Sequence, residues 1–188
     1  MNKIFEILNK YYGYNSFRKG QYEIISNILR GRDSFCILPT GAGKSICYQI
    51  PALMFNGITI VISPLISLMK DQVDNLNSNG INARYINSTQ KLEVSDEIIE
   101  LCKKGEVKLL YIAPEKLENE FFKRKLRLLN ISQIAIDEAH CVSMWGHDFR
   151  KSYGLIAEFI DNLKIRPVVT AFTATATERV KQDIMGSL

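Results

Sequence analysis

Two short stretches hold the residues whose types and spacing could do chemistry. The first, Leu38 to Ser45, reads LPTGAGKS. Gly41 and Gly43 let the backbone curl, so that the loop Pro39, Thr40, Gly41, Ala42, Gly43 can aim N–H groups at phosphate oxygens. Lys44 can then reach the β- and γ-phosphates of a nucleoside triphosphate and Ser45 can ligate Mg²⁺, while a helix starting there offers its positive end. The strict pattern G-x-x-x-x-G-K-[ST] fails, because Leu38 stands where its first glycine belongs. The second stretch, Ile134 to Arg150, reads IAIDEAHCVSMWGHDFR. Here an apolar run ends in two carboxylates. Asp137 could hold Mg²⁺, and Glu138 could orient and deprotonate an attacking water. Adjacent acids also suit a helix N-terminus, but beside a phosphate loop the metal-and-base reading is the stronger one. Both histidines, His140 and His147, and the single tryptophan, Trp145, fall in the same stretch.

These residues need a scaffold that brings distant segments together. The chain alternates short apolar runs with helical-period segments, the pattern of a doubly wound α/β sheet, mostly parallel with helices on both faces. Strands are predicted over 34–38, 58–62, 83–86, 108–112, 133–136 and 168–172, several of them continuous apolar runs suited to a sheet covered on both faces. Leu65, Leu68, Met69, Val73 and Leu76 mark one helix face. Leu92, Ile98, Ile99 and Cys102 mark another, with Gly80 and Gly105 closing the two helices. No repeat, low-complexity tract or linker interrupts the chain, so its 188 residues read as one domain.

Composition excludes several classes. With 46% hydrophobic and 23% charged residues, the chain has an ordinary globular balance. Its apolar runs fall far short of the ~20 residues of a membrane span, so no membrane association is expected. Cys36, Cys47, Cys102 and Cys141 form no C-x-x-C pair, which argues against a disulfide framework or a zinc site and fits a reducing cytosol or nucleus. A net charge of +4 is compatible with a polyanionic partner but too small to argue for one. The basic run Lys123, Arg124, Lys125, Arg127 reads as a solvated helix face rather than a nucleic-acid patch.

LPTGAGKS, IDEAH and TAFTATAT (170–177), in that order, resemble superfamily 2 helicases, which accept a non-glycine at the first phosphate-loop position. Four further segments narrow the resemblance: YGYNSFRKGQ, CYQIPAL, VISPLISLMKDQV and CVSMWGHDFR are similar to the RecQ family of ATP-dependent DNA helicases. The resemblance covers nearly the whole chain. It implies a RecA-like P-loop NTPase domain, the first of two in a motor that uses ATP and Mg²⁺ to translocate 3′ to 5′ on single-stranded DNA and open partly duplex DNA. It assigns Arg18 and Gln21 to adenine, Lys44 and Ser45 to phosphates and Mg²⁺, Asp137 to Mg²⁺ and Glu138 to the catalytic base. His140 would couple the ATP site to DNA-facing loops. Trp145, His147, Phe149 and Arg150 would form an aromatic-rich loop that senses DNA, its rings stacking unpaired bases at ~1–3 kcal/mol each. Ser63, Leu65, Lys70, Pro114 and Thr173 occupy motifs that track the DNA backbone or link it to the nucleotide.

The departures from the family pattern carry their own expectations. Lys151 and Ser152 stand before Tyr153 where a proline and an acid are common, predicting a less constrained loop; Met144 replaces a usual glutamine and Lys19 a frequent proline. The second RecA-like domain of the same protein, and the zinc-binding, winged-helix and HRDC regions, are expected outside this chain. The full protein would be cytoplasmic and nucleoid-associated in a bacterium, or nuclear in a eukaryote. A P-loop alone does not choose a substrate. An ATPase acting on something other than nucleic acid and a nucleotide-responsive interaction module therefore stay open, to be separated by whether single-stranded DNA stimulates turnover.

Overall fold

A run such as ITIVI leaves no polar face for water, so it is stable only where both sides of a sheet are covered. The structure, a computed structural model describing residues 3–143 and 150–188, is built that way. Among the described residues six strands form one all-parallel sheet: β1 (Ser34–Ile37), β2 (Ile58–Ile62), β3 (Ala83–Ile86), β4 (Leu109–Ile112), β5 (Ile131–Ile136) and β6 (Val168–Thr173), in the spatial order β1-β6-β5-β2-β4-β3. Five of the six predicted strands start or stop within one residue of the observed ends. Only β5 begins two residues early.

Alternation along each strand divides the core between two faces. Ile58, Ile60, Ile62, Ile134 and Ile136 point to the side covered by α5 (Leu92–Lys103), α6 (Glu120–Leu126), α7 (Leu155–Asp161) and α8 (Glu178–Ser187). Val61, Ala135 and Phe172 face α2 (Gln21–Leu29), α3 (Lys44–Met54) and α4 (Ile66–Ser78). Helix α1 (Lys3–Tyr12) packs outside these, Ile4, Ile7 and Leu8 clustering with Ile25 and Ile50. Gly80 and Gly105 adopt φ of 79° and 73° just beyond α4 and α5, as helix stops of that kind require.

Three expectations about faces need correction. Leu65 is 46% exposed because it precedes α4 as its N-cap, and Leu92 is 62% exposed because it opens α5 on the side away from the sheet. The basic run is not a free solvated face either. Lys123 is buried at 6% exposure and pairs with Glu120 (2.9 Å) and Glu158 (3.2 Å), Lys125 pairs with Asp96, and Arg127 with Glu120 (2.7 Å). Charges expected to face water are largely neutralised in pairs.

Inside the sheet, Thr59 donates to Gln133 (3.4 Å) and Gln133 donates to Thr170 (3.2 Å), a buried polar row crossing β2, β5 and β6. An apolar side chain at its centre would strand the neighbouring hydroxyls. Gln133→Leu should therefore lower stability by ~1–3 kcal/mol, read as a lower urea midpoint at unchanged m-value.

Candidate active site

In a parallel sheet every strand delivers its C-terminal end to the same edge. Because β6 lies between β1 and β5, the segments leaving those three strands become neighbours although they lie far apart in sequence. Leu38 explains the missing first glycine: its N–H donates to Thr173 O at 3.0 Å, extending the β1–β6 ladder by one residue before the loop turns away. The loop then turns at Gly41 (φ 80°) and Gly43 (φ 82°), both in the left-handed region. Helix α3 begins at Lys44, with Gly43 as its N-cap.

The Lys44 ammonium lies 3.3 Å from Glu138 Oε1 and 4.0 Å from Asp137 Oδ1, so phosphate-loop lysine and acid pair form one cluster. Burial raises the Asp137 carboxyl above its ordinary value; Lys44 opposes that rise and the neighbouring Glu138 adds to it. Glu138 is the one non-glycine among the described residues with positive φ, at φ 48° and ψ 48°. That conformation costs roughly 1–2 kcal/mol in an L-residue and persists only where the surroundings enforce it. The Glu138 N–H donates to Asp137 Oδ1 (3.0 Å), and its carbonyl accepts from Cys141 N–H (2.9 Å) as the chain enters a 3-10 turn over Ala139–Val142.

His140 ties the acid pair to β6. Its Nδ1 lies 3.0 Å from Thr173 Oγ1 and 3.4 Å from Glu138 Oε2. The Thr173 hydroxyl also lies 2.9 Å from Thr175 O, to which it can donate. The His140 ring thus spans the strand end and the carboxylate.

Beside the loop is a cleft of about 290 Å³ lined by Tyr14, Ser16, Arg18, Gln21, Gly41, Gly43, Lys44, Ser45 and Ile46. Arg18 donates to Gly41 O; Gln21 accepts from Arg18 N–H (2.8 Å) and donates to Ala42 O (3.2 Å) and Gly43 O (3.1 Å). The residues assigned to a base are thus seated on the phosphate loop itself. Gly41 has open space where a Cβ would stand, leaving the loop accessible to an anion. Pro39 and Thr40 are exposed.

The residues assigned to DNA are sorted by exposure. Leu65 and Lys70 reach the surface, whereas Ser63 (2%), Thr173 (0%) and Pro114 are buried, so these three shape the edge from within. Among the described residues the Ser63 hydroxyl has no hydrogen-bond partner. Arg150 points back to the sheet, 3.4 Å from Pro64 O and 3.6 Å from Glu115 Oε1. Trp145, His147 and Phe149 lie outside the described residues. Beyond them, Lys151–Gly154 form a 3-10 turn with Ser152 and Tyr153 buried, so the turn forms without the expected proline.

Sequence reasoning missed a buried polar network under the site. Tyr48 and Tyr111 hydroxyls lie 3.4 Å apart, Gln49 donates to Tyr111 (3.1 Å) and Gln72 (3.1 Å), and Tyr12 donates to Gln49 (3.0 Å). The signal available was a Tyr-Gln pair set in the apolar run CYQIPAL.

Fold and site together define a class, a RecA-like α/β domain with a phosphate-binding loop facing an acid pair. Residues 18–184 match the DEAD/DEAH box helicase family, and the chain belongs to that family. It is 55% identical over 183 residues to the ATP-dependent DNA helicase RecQ of Bacillus subtilis (strain 168), covering 97% of this chain and 31% of that protein. RecQ of Haemophilus influenzae is 50% identical over 186 residues, with 97% and 29% covered. Among solved structures, the Pyrococcus furiosus Hef helicase domain matches with a TM-score of 0.72 at 19% identity, covering 91% of this chain and 36% of that one. The DUF1998 helicase MrfA bound to DNA matches with a TM-score of 0.77 at 18% identity, covering 99% and 28%. These two share the fold.

The raised Asp137 carboxyl makes a stability prediction. A carboxyl that holds its proton more tightly in the folded state contributes stability below its unfolded pKa of ~3.9, and that contribution is lost as pH rises through the elevated folded value. At neutral pH the ionised group therefore weighs against the fold. Asp137→Asn keeps the oxygen that accepts from Glu138 N–H and removes the charge. Its melting temperature at pH 7 should exceed that of the wild type, and the difference should vanish near pH 3; calorimetry at the two pH values checks this.

Proposed function

We propose that the chain is the ATP-binding half of a RecQ-type DNA helicase motor, which in the full-length protein couples ATP hydrolysis to 3′-to-5′ movement on single-stranded DNA and to duplex opening. The observation that carries the reading is the convergence of Lys44, Asp137, Glu138 and His140 at one sheet edge, next to the surface residues Leu65 and Lys70. The identity to RecQ helicases over 97% of the chain supports DNA as the polymer.

Each residue has a task that its position allows. Backbone N–H groups of the loop and the start of α3 receive the phosphates, and Lys44 exchanges Glu138 for their oxygens. That exchange frees the Glu138 carboxylate to take a proton from the attacking water. Asp137 and the Ser45 hydroxyl suit Mg²⁺, which at nucleotide sites takes one or two protein oxygens beside phosphates and water and would neutralise the β- and γ-oxygens when bound. Arg18 and Gln21 line the cleft where a base would lie. His140, bonded to Thr173, transmits displacement of β6's end to Glu138. Opposing positive charge is assigned to a second RecA-like domain of the same protein.

Glu138→Gln in the full-length protein should keep ATP affinity within about twofold while lowering DNA-stimulated turnover by at least about 10²-fold, since the amide keeps the shape but takes no proton. The isolated 188-residue chain should turn over ATP slower than the full protein by ~10³ to 10⁵, the worth of an arginine supplied from the opposite side. Steady-state hydrolysis with and without single-stranded DNA tests both. Wild-type full-length protein indifferent to DNA would overturn the reading.

A further inference from the structure

Tyr153 is fully buried on α7's side of the sheet, yet its hydroxyl is not idle: it donates to the carbonyl of Asp137 at 3.0 Å. That carbonyl belongs to the peptide joining Asp137 to Glu138, the unit whose orientation places Glu138 in the left-handed region. The N–H end of the same peptide is held by Asp137 Oδ1, a carboxylate that the nucleotide's cation would also claim. The carbonyl end is held by Tyr153.

The other end of the connection leads to the surface. Tyr153 N–H donates to Arg150 O (3.0 Å), and Arg150 N–H donates to Cys141 O (3.0 Å), tying this turn back to the one that follows Glu138. The Arg150 guanidinium meets Pro64 O and Glu115, at the ends of β2 and β4. A shift of Arg150 against those two segments must move the 3-10 turn over Lys151–Gly154, and with it the hydroxyl on the Asp137 carbonyl.

We propose that Tyr153 is a positioning residue, through which the turn following the aromatic stretch sets the orientation of the Asp137–Glu138 peptide and hence of the Glu138 carboxylate. The inference rests on Glu138 acting as the base. A strained residue needs every hold it has, and this hold can be released without touching the phosphate loop. Its loss should therefore alter the rate of the chemical step and leave nucleotide binding alone.

The test is Tyr153→Phe in the full-length protein, which removes one oxygen and keeps the ring. With saturating single-stranded DNA, kcat should fall by about ten- to a hundredfold, the scale of a misplaced catalytic group. The KM for ATP and the affinity for DNA should stay within about twofold, the pattern of an interaction needed only at the transition state. Phe159→Leu, a change in the same buried face away from the peptide, controls for loosened packing: it should lower the melting temperature and leave kcat near wild type. A Tyr153→Phe enzyme with wild-type kcat overturns the proposal, as does a loss of kcat that Phe159→Leu reproduces at an equal drop in melting temperature. If the wild type itself does not hydrolyse ATP, the functional reading fails, and this inference with it.

Discussion

The Lys44 ammonium, held between two carboxylates that follow it by more than ninety residues, is the interaction on which the rest of the site depends. The three side chains are 15%, 12% and 23% exposed, so they are only partly solvated. At such spacings the gross attraction of one pair is on the order of 4 kcal/mol at an effective dielectric of 20, and desolvating the ions offsets much of it. One cation and two carboxylates give the cluster an excess of negative charge beside the phosphate loop. Such a cluster is held together without being balanced in charge. The Asp137 carboxyl is raised chiefly by its burial, with Lys44 opposing the rise and Glu138 adding to it.

What lets those charges meet is sheet order. The pairings of Ile37 with Thr173 and of Ile136 with Ala171 set the ends of β1, β6 and β5 side by side, and pairing of Ile62 with both Ile136 and Ile112 adds the ends of β2 and β4. The buried row Thr59, Gln133, Thr170 favours that alignment, because a strand slipped by one residue would point its polar side chain into the opposite, apolar face. Register inside the core and charge geometry at the edge are therefore one constraint. A slip would cost hydrogen bonds below and carry Asp137 away from Lys44 above.

The parts of this architecture written in contiguous residues were legible in the sequence. ITIVI, a glycine after a helical run, and LPTGAGKS each announce themselves locally, since period, breaker and motif need no knowledge of the fold. Side-chain destinations were not. Nothing in the run Lys123 to Arg127 says that Lys123 will be buried against Glu158, thirty-five residues on, because that pairing depends on how α6 lies beside α7. Likewise Tyr12, Gln49, Gln72 and Tyr111 come from four elements, and only their packing makes them one network. The left-handed Glu138 is the sharpest case. Sequence assigns it a task, whereas its backbone follows from holds supplied by Asp137, Cys141 and Tyr153.

The cleft carries the same lesson to the nucleotide's other end. Gly43 has a φ of 82°, which suits glycine, and a Cβ there would press on the Gln21 amide, the far end of a flexible side chain. Gln21 in turn is 3% exposed, with its oxygen on Arg18 N–H and its nitrogen on the carbonyls of Ala42 and Gly43. Arg18 also grips Gly41 O. The segment assigned to a base and the loop assigned to phosphates thus share their hydrogen bonds and form one packed unit. A primary amide has two N–H groups and two carbonyl lone pairs. A Gln21 that reads a purine must do so with the one carbonyl lone pair those three bonds leave over, or release the loop to regain its N–H groups. A Gln21 that let go of the loop would let go of Gly43, one residue before the lysine on which the charge cluster turns.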